Sequence, residues 1–171
     1  MHLIRLLKSD LERYFYYSGS SGRRVRFIDL YRCFVVPRCM LATLYRLSHS
    51  MHKIGLTPIG QLISWLAFFL FGSEINCKTK IGPYLYFPHP NGIVIGAEAI
   101  GSYAVIYHQV TIGATRIDFL AESRPIVGDN VTIGAGAKVL GKIVVPDNSL
   151  IIANQVVTKT NVNSLKKCRI I

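Results

Sequence analysis

The sequence predicts a mainly β protein, a left-handed parallel β-helix of hexapeptide repeats that follows a small helical domain. Two observations predict this architecture. From residue 75 onward, aliphatic or aromatic residues recur every six positions, and a glycine often comes directly after them. Before that point, the apolar residues follow the spacing of an amphipathic helix instead.

The recurring apolar residues, called anchors here, are expected to point into the β-helix. Each six-residue repeat supplies one short strand and one corner, so three repeats form a triangular coil of about eighteen residues. Twelve repeats therefore predict about four coils. The anchors form three runs, separated by one extra residue and then by a loop: Ile75, Ile81 and Phe87; Val94, Ile100, Ile106 and Ile112; Val127, Ile133, Val139, Val145 and Ile151.

The change of period divides the chain into three parts: a helical domain at 1–73, a β-helix at 74–160 and a basic tail at 161–171. Residues 114–126 do not fit the repeat and contain four charged side chains. They predict a loop extruded from the β-helix. Such a loop is either functional or a tolerated insertion.

The helical domain is expected to contain three helices. A first ends before the glycine-rich segment 18–22, a second runs from Phe27 to His52 with a break or kink at Pro37, and a third follows Pro58 and ends near Phe71. The third is apolar nearly all round, yet shorter than the roughly 20 residues that span a bilayer. It is expected either to pack against another domain or subunit, or to lie on a membrane surface beside basic residues.

The chain is basic, with 20 Lys and Arg against 9 Asp and Glu, and residues 1–73 hold ten of the former and three of the latter. Such a charge suits anionic lipid, nucleic acid or a phosphate-rich ligand. Nucleic acid is not predicted, because no nucleic-acid-binding motif or aromatic-rich basic face is recognisable.

The cellular compartment is predicted from the cysteines and the amino terminus. The four cysteines lack the spacing of a zinc site, so free thiols and no metal are expected. Charged residues interrupt the apolar start of the chain at Asp10, Glu12 and Arg13, so it does not resemble a signal peptide. A cytoplasmic protein is predicted, with peripheral contact at the inner membrane as a further expectation.

Two histidines are the candidates for acid–base chemistry in the repeat domain. His89 and His108 each lie two places after an anchor, and nineteen residues separate them. That spacing is about one coil, so both are expected on the same edge of the β-helix. Imidazole is the side chain whose charge changes near neutral pH, which suits proton transfer.

Three segments resemble the serine acetyltransferase family of hexapeptide acyltransferases. They are His89-Pro-Asn-Gly-Ile-Val-Ile-Gly, Val110-Thr-Ile-Gly113 and Val131-Thr-Ile-Gly-Ala-Gly-Ala-Lys-Val-Leu-Gly141. The likeness covers about residues 74–160. It implies a homotrimer, or a hexamer of paired trimers, with acetyl-CoA bound in the groove between neighbouring subunits.

The resemblance also implies roles for individual residues. His89 falls on the family's general base, and Glu74 takes the place of the aspartate that orients it. Gly113, Ala114 and Ala135 match positions that line the cofactor groove. Lys138 is expected to meet the phosphates of CoA, with a solvated surface lysine as the alternative.

Departures from the family put the acceptor in question. Arg124 stands where the family has a second histidine that helps hold the amino-acid substrate, and Ala114 replaces a glycine. His108 and Arg124 are the residues expected to bind the acceptor. The segment Phe71-Gly-Ser-Glu74-Ile-Asn resembles colanic acid acetyltransferases instead, which implies a sugar hydroxyl of a surface polysaccharide. Serine O-acetylation in cysteine biosynthesis is the alternative acceptor chemistry.

Two other functions compete with acetyl transfer. A zinc carbonic anhydrase of this fold needs three histidine ligands, and the repeat domain offers only His89 and His108. A non-catalytic β-helix scaffold remains an alternative because the fold alone does not determine a function.

Overall fold

A computed structural model describes residues 2–115 and 123–167. The amino-terminal part is helical, as predicted. Its second predicted helix is divided at Val36, whose extended backbone before Pro37 interrupts the helical hydrogen bonds. The elements are α1 (His2–Tyr17), a short 3₁₀ helix (Phe27–Tyr31), α2 (Arg32–Val35), α3 (Pro37–Lys53) and α4 (Thr57–Phe71). No helix in the described ranges is both long enough and apolar enough to cross a bilayer.

The rest of the described chain is a three-sided β-helix of very short strands. Four coils are complete, and a further strand begins the next, which confirms the predicted number. The strands are β1 (Glu74–Ile75), β2 (Lys80–Ile81), β3 (Val94–Ile95), β4 (Ala99–Ile100), β5 (Val105–Ile106), β6 (Thr111–Gly113), β7 (Ile126–Val127), β8 (Thr132–Ile133), β9 (Lys138–Leu140), β10 (Val144–Val145), β11 (Ser149–Ile151), β12 (Val156–Val157) and β13 (Lys166–Lys167).

Each side of the β-helix is one parallel sheet. Face A contains β1, β3, β6, β9 and β12, and face B contains β2, β4, β7 and β10. Face C contains β5, β8 and β11, and a bridge between Tyr86 and Val105 extends it into the first coil. The predicted basic tail begins with a short 3₁₀ helix (Val162–Ser164), after which β13 pairs antiparallel with β11.

The anchors stack in register inside the β-helix, one above another on each face, and eleven of the twelve are buried. The prediction that Val94 is an inward-pointing anchor is wrong. Its side chain is 41% exposed, whereas Ile95 is fully buried. In the register of β3 with β6, Ile95 lies beside buried Ile112 and Val94 lies beside Thr111 on the outside. Side chains alternate across a strand, so Ile95 is the inward residue and the corner that follows Phe87 is longer than predicted.

Helix α4 packs along α3 through a narrow stripe of small residues and one aromatic ring. Gly60, Ala67 and Phe71 are buried in this stripe. Gly60 permits the close approach, because a Cβ there would lie 2.7 Å from the backbone oxygen of Ser48. The opposite side of α4 is exposed and consists almost entirely of apolar side chains.

A buried ion pair joins the helices to the first coil. Arg46 of α3 is 1% exposed, and its Nε donates to the carboxylate of Asp10 in α1 at 2.9 Å. Its two terminal nitrogens donate to the backbone oxygens of Ile81 and Gly82, each at 2.6 Å. Asp10 also accepts the N–H of Leu85 at 2.8 Å. Two helices and one coil thus share a charge pair whose hydrogen-bonding groups are satisfied.

Candidate active site

The predicted site residues lie on face A and along its two edges. The chain passes from face C to face A at the CA edge, which contains His89, His108 and Ala135 in successive coils. Backbone hydrogen bonds tie these corners together, among them the 2.9 Å bond from the N–H of Gly136 to the oxygen of His108. The prediction that the two histidines share one edge is confirmed.

His89 is exposed at the first of these corners, and its ring meets two others. The ring centroids of His89 and His108 are 5.5 Å apart, with the planes nearly perpendicular. The ring of Tyr107 lies 6.3 Å from that of His89. Exposure leaves the imidazole of His89 accessible to a substrate, as a general base requires.

A buried serine fixes the corner that presents His89. The hydroxyl of Ser73 donates to the backbone oxygen of Pro90 at 2.6 Å and accepts the N–H of Ile93 at 3.0 Å. The side chain of Ser73 is completely buried, so both bonds are protected from water. The sequence reasoning missed this residue, although its position directly after the helix-ending Gly72 and directly before Glu74 was a signal.

Glu74 does not make the predicted hydrogen bond to His89. It begins β1 as an exposed residue and makes no side-chain hydrogen bond or ion pair within the described part of the chain. Instead it lines a cavity of about 570 Å³ beside α4, together with Trp65 and Phe68. The orienting role of Glu74 therefore stays a prediction, and Ser73 is the residue that holds the corner here.

The ring of His108, which lies beside His89, contains a nitrogen that lacks a hydrogen-bond partner among the described residues. The ring is half-buried, and its Nδ1 is enclosed without a hydrogen-bond partner among the described residues. A buried ring nitrogen without a partner costs free energy, and because this one is enclosed, a ligand would reach it only after the ring turns.

The AB edge, where face A turns into face B, contains Gly113, Ala114 and Arg124. The side chain of Arg124 is bonded to this edge, because its Nη1 donates to the backbone oxygen of Gly96 at 2.9 Å. A Cβ at Gly113 would meet nothing within 4 Å, so the edge has open space where the predicted cofactor groove lies. The predicted loop 114–126 leaves from this edge, and its residues 116–122 lie outside the described residues.

Lys138 is held on face A. Its Nζ donates to the backbone oxygen of Gln109 at 2.9 Å and to the hydroxyl of Thr111 at 3.1 Å. These bonds fix the ammonium between two coils near the CA edge. A lysine can donate three hydrogen bonds, so one donor remains for an anionic ligand. Within 2–115 and 123–167, no three or more His, Cys, Asp and Glu side chains are grouped as a metal site.

Comparisons with known proteins found serine acetyltransferases. The enzyme from Helicobacter pylori strain 26695 is 46% identical over 114 residues, which are 66% of this chain and 66% of that protein. The enzyme from a Synechocystis strain is 40% identical over 113 residues, covering 66% of this chain and 45% of that protein. A crystal structure of serine acetyltransferase in complex with coenzyme A from Brucella abortus has a TM-score of 0.75 and 26% identity, covering 88% of this chain and 58% of that chain.

These comparisons support the resemblance to the serine acetyltransferase family. The predicted likeness to colanic acid acetyltransferases is not supported by them, and no family model matches the chain. The chain spans about two thirds or less of the length of these curated relatives. Its β-helix corresponds to the left-handed β-helix of the solved serine acetyltransferases, as predicted. The chain is therefore a sequence relative of the serine acetyltransferases and shares their hexapeptide-repeat acyltransferase fold.

Proposed function

We propose that this chain transfers the acetyl group of acetyl-CoA to the hydroxyl of L-serine, with His89 as the general base. The observation that supports this most is the rigid, exposed corner of His89, which Ser73 holds and which lies beside the ring of His108. The relatives named serine acetyltransferases favour serine over the sugar hydroxyl that the sequence reasoning put first.

In the proposed reaction, a ring nitrogen of His89 takes the proton of the acceptor hydroxyl as the oxygen attacks the thioester carbonyl. The carbon–sulfur bond then breaks, and the acetyl group stays on the acceptor oxygen. The proton passes from His89 to the sulfur of CoA, which leaves as the thiol and restores the neutral base. Proton transfer of this kind contributes about 10²–10⁴-fold to a rate.

The two edges of face A suit a site shared by neighbouring copies. Gly113 and Ala114 lie on the AB edge, whereas His89 and His108 lie on the CA edge of the same face. In the homotrimer that the resemblance implies, the AB edge of one copy would meet the CA edge of the next. The open space at Gly113 and the free donor of Lys138 fit the pantetheine arm and a phosphate of acetyl-CoA, respectively.

A sugar hydroxyl of surface polysaccharide synthesis stays a second candidate acceptor, because Arg124 departs from the pattern of the family. The relatives' family has a histidine at this place, and the guanidinium of Arg124 presents further donors along the AB edge. Guanidinium groups bind carboxylates and phosphates in a forked geometry, so Arg124 suits either the carboxylate of serine or the diphosphate of a nucleotide-linked sugar. Since acetyl-CoA is a cytoplasmic metabolite, we propose a cytoplasmic reaction.

The experiment measures release of the CoA thiol from acetyl-CoA by the purified protein. Release that depends on L-serine supports serine as acceptor. Release that depends on nucleotide-linked sugars, and not on serine, would move the assignment to a sugar. Absence of release with any hydroxyl acceptor, in protein that binds CoA, would contradict the proposed transfer.

A further inference from the structure

The helical part exposes a large apolar surface that the proposed reaction does not use. The outer side of α4 contributes Trp65, which is 62% exposed, and Phe69, which is 79% exposed. The segment before α3 contributes Phe27, which is 77% exposed. We call this surface the aromatic patch, and its members are Leu62, Trp65, Leu66, Phe68, Phe69 and Leu70 of α4 with Phe27, Ile28, Tyr31, Phe34 and Val35.

The chain path places the two parts of the aromatic patch at the same end of the helical hairpin. Helices α3 and α4 form an antiparallel hairpin, joined by the short turn at 54–56. The beginning of α3 therefore lies beside the end of α4. Since α2 runs directly into the beginning of α3, Phe34 and Val35 are at the same end of the hairpin as Phe68 and Phe69. Exposed apolar surface of this extent marks an interaction site.

The exposed charges of the helical part are almost all positive, although Glu74, which directly follows this part, is an exposed acid beside Trp65 and Phe68. Residues 2–73 are all described, and the acidic side chains among them are Asp10, Glu12 and Asp29. Asp10 and Asp29 are buried and paired with arginines, which leaves Glu12 as the exposed carboxylate. Exposed basic residues of this part are Arg5, Arg23, Arg24, Arg26, Arg38 and Lys53.

We propose that the aromatic patch docks on the surface of an anionic lipid bilayer. Aromatic side chains are favoured at the boundary between headgroups and acyl chains, and each nearby Lys or Arg adds attraction to anionic lipids. A second copy of the chain fits less well, because it would bring an equally positive rim against this one. Helix α4 contains no charged residue, so it lies in the interface without burying a charge.

Docking would place the base at the membrane surface. The end of α4 is bonded to the His89 corner, since the N–H of Gly92 donates to the backbone oxygen of Phe71 at 3.0 Å. Ser73, two residues further along, holds Pro90 of the same corner. The inference stands whichever hydroxyl accepts the acetyl group, because it rests on the helical part alone.

Trp65 provides the measurement, because it is the only tryptophan of the chain. The full-length protein is titrated with phosphatidylcholine vesicles that contain phosphatidylglycerol, and with vesicles of phosphatidylcholine alone. The emission of Trp65 is expected to shift to shorter wavelength with the anionic vesicles, and to shift less with the neutral vesicles or at high salt. Unchanged emission with anionic vesicles, or equal binding to both kinds, would overturn the proposal.

Variants that keep Trp65 identify the surface. Phe69→Ser is expected to weaken vesicle binding at least about tenfold, because it removes an aromatic ring that the docked protein would bury in the bilayer. Arg24→Gln with Arg26→Gln is expected to weaken binding to anionic vesicles by about fivefold for each charge. The matched control is Val144→Ser, on an exposed apolar residue of face B, which is expected to bind as the wild type does.

Light scattering of the free protein separates lipid from a second copy. The wild type and Phe69→Ser are expected to have the same oligomeric mass, since the patch is free in solution. If Phe69→Ser lowers the mass and moves the emission of Trp65 to longer wavelength without vesicles, a second copy covers the patch and the proposal is wrong.

Discussion

The rings of His89 and His108 meet edge to face, with their centroids 5.5 Å apart. This contact connects two coils of the β-helix at one edge, so the orientation of one ring constrains the other. The ring of His108 is half-buried and adjoins the exposed ring of His89, so its place at the edge suits the proposed role of holding an acceptor beside His89. The geometry thus distinguishes the exposed ring of His89 from the half-buried ring of His108.

Replacement of His108 by Ala is expected to affect acceptor binding more than chemistry. The loss of one hydrogen bond to the acceptor, of about 1 kcal/mol, raises the acceptor KM about fivefold or more. Steady-state kinetics with L-serine measures this, and Tyr107→Phe, which keeps the ring near His89, is the control. A His108→Ala enzyme with unchanged KM and sharply reduced kcat would contradict the binding role.

Ser73→Ala is expected to lower kcat while the protein remains folded. The change leaves the N–H of Ile93 buried without its partner, at a cost of about 1–3 kcal/mol, and frees the corner that holds His89. Because Ser73 is a positioning residue, the KM for acetyl-CoA should change little. The control is Ser164→Ala, whose exposed hydroxyl also bonds to a backbone oxygen. If kcat is the same in Ser73→Ala and Ser164→Ala, Ser73 does not position His89.

Asp10→Asn is expected to destabilise the protein strongly. It leaves the charge of Arg46 buried without a counter-ion, which typically costs about 3–5 kcal/mol. Chemical denaturation monitored by circular dichroism measures the free energy of unfolding, and Glu12→Gln, an exposed acid on the same helix, is the control. A loss no larger than that of the control would show that the ion pair does not fasten the helices to the first coil.

Thermal stability is expected to fall as the pH drops below about 6.5. Burial lowers the pKa of His49 from its ordinary value of 6.5, although the hydrogen bond to the oxygen of Cys77 opposes this shift. The unfolded chain therefore binds a proton at a higher pH than the folded chain, and acid favours unfolding. The slope of Tm against pH should be shallower in His49→Gln than in wild type, with exposed His2→Gln as the control. Parallel slopes in wild type and His49→Gln would contradict this assignment.

The β-helix could be predicted from the sequence because its core repeats at a fixed interval. Each anchor occupies an equivalent inward position, so Ile106, Ile133 and Ile151 could be identified as one stack without coordinates. The prediction failed at Val94, where the proline-containing corner after Phe87 is longer than the others. In an uninterrupted Ile-Val-Ile segment, periodicity alone does not decide which side chain faces inward.

Contacts between distant segments could not be predicted. The pairing of Asp10 with Arg46 depends on how α1 and α3 dock on the first coil, and neither residue belongs to a repeat. The same holds for Ser73, whose partners lie in the corner that follows. The two histidines were predictable as neighbours because both follow an anchor by two places. The hydrogen bond from the ring of His89 to the carboxylate of Glu74 rested on resemblance and is absent here.

The central claim is tested most directly by the kinetics of His89→Ala with acetyl-CoA and L-serine, alongside calorimetric binding of CoA. The expected result is a loss of about 10²–10⁴-fold in kcat with CoA affinity near that of the wild type. A variant that releases CoA thiol at the wild-type rate would contradict the assignment of His89 as the general base.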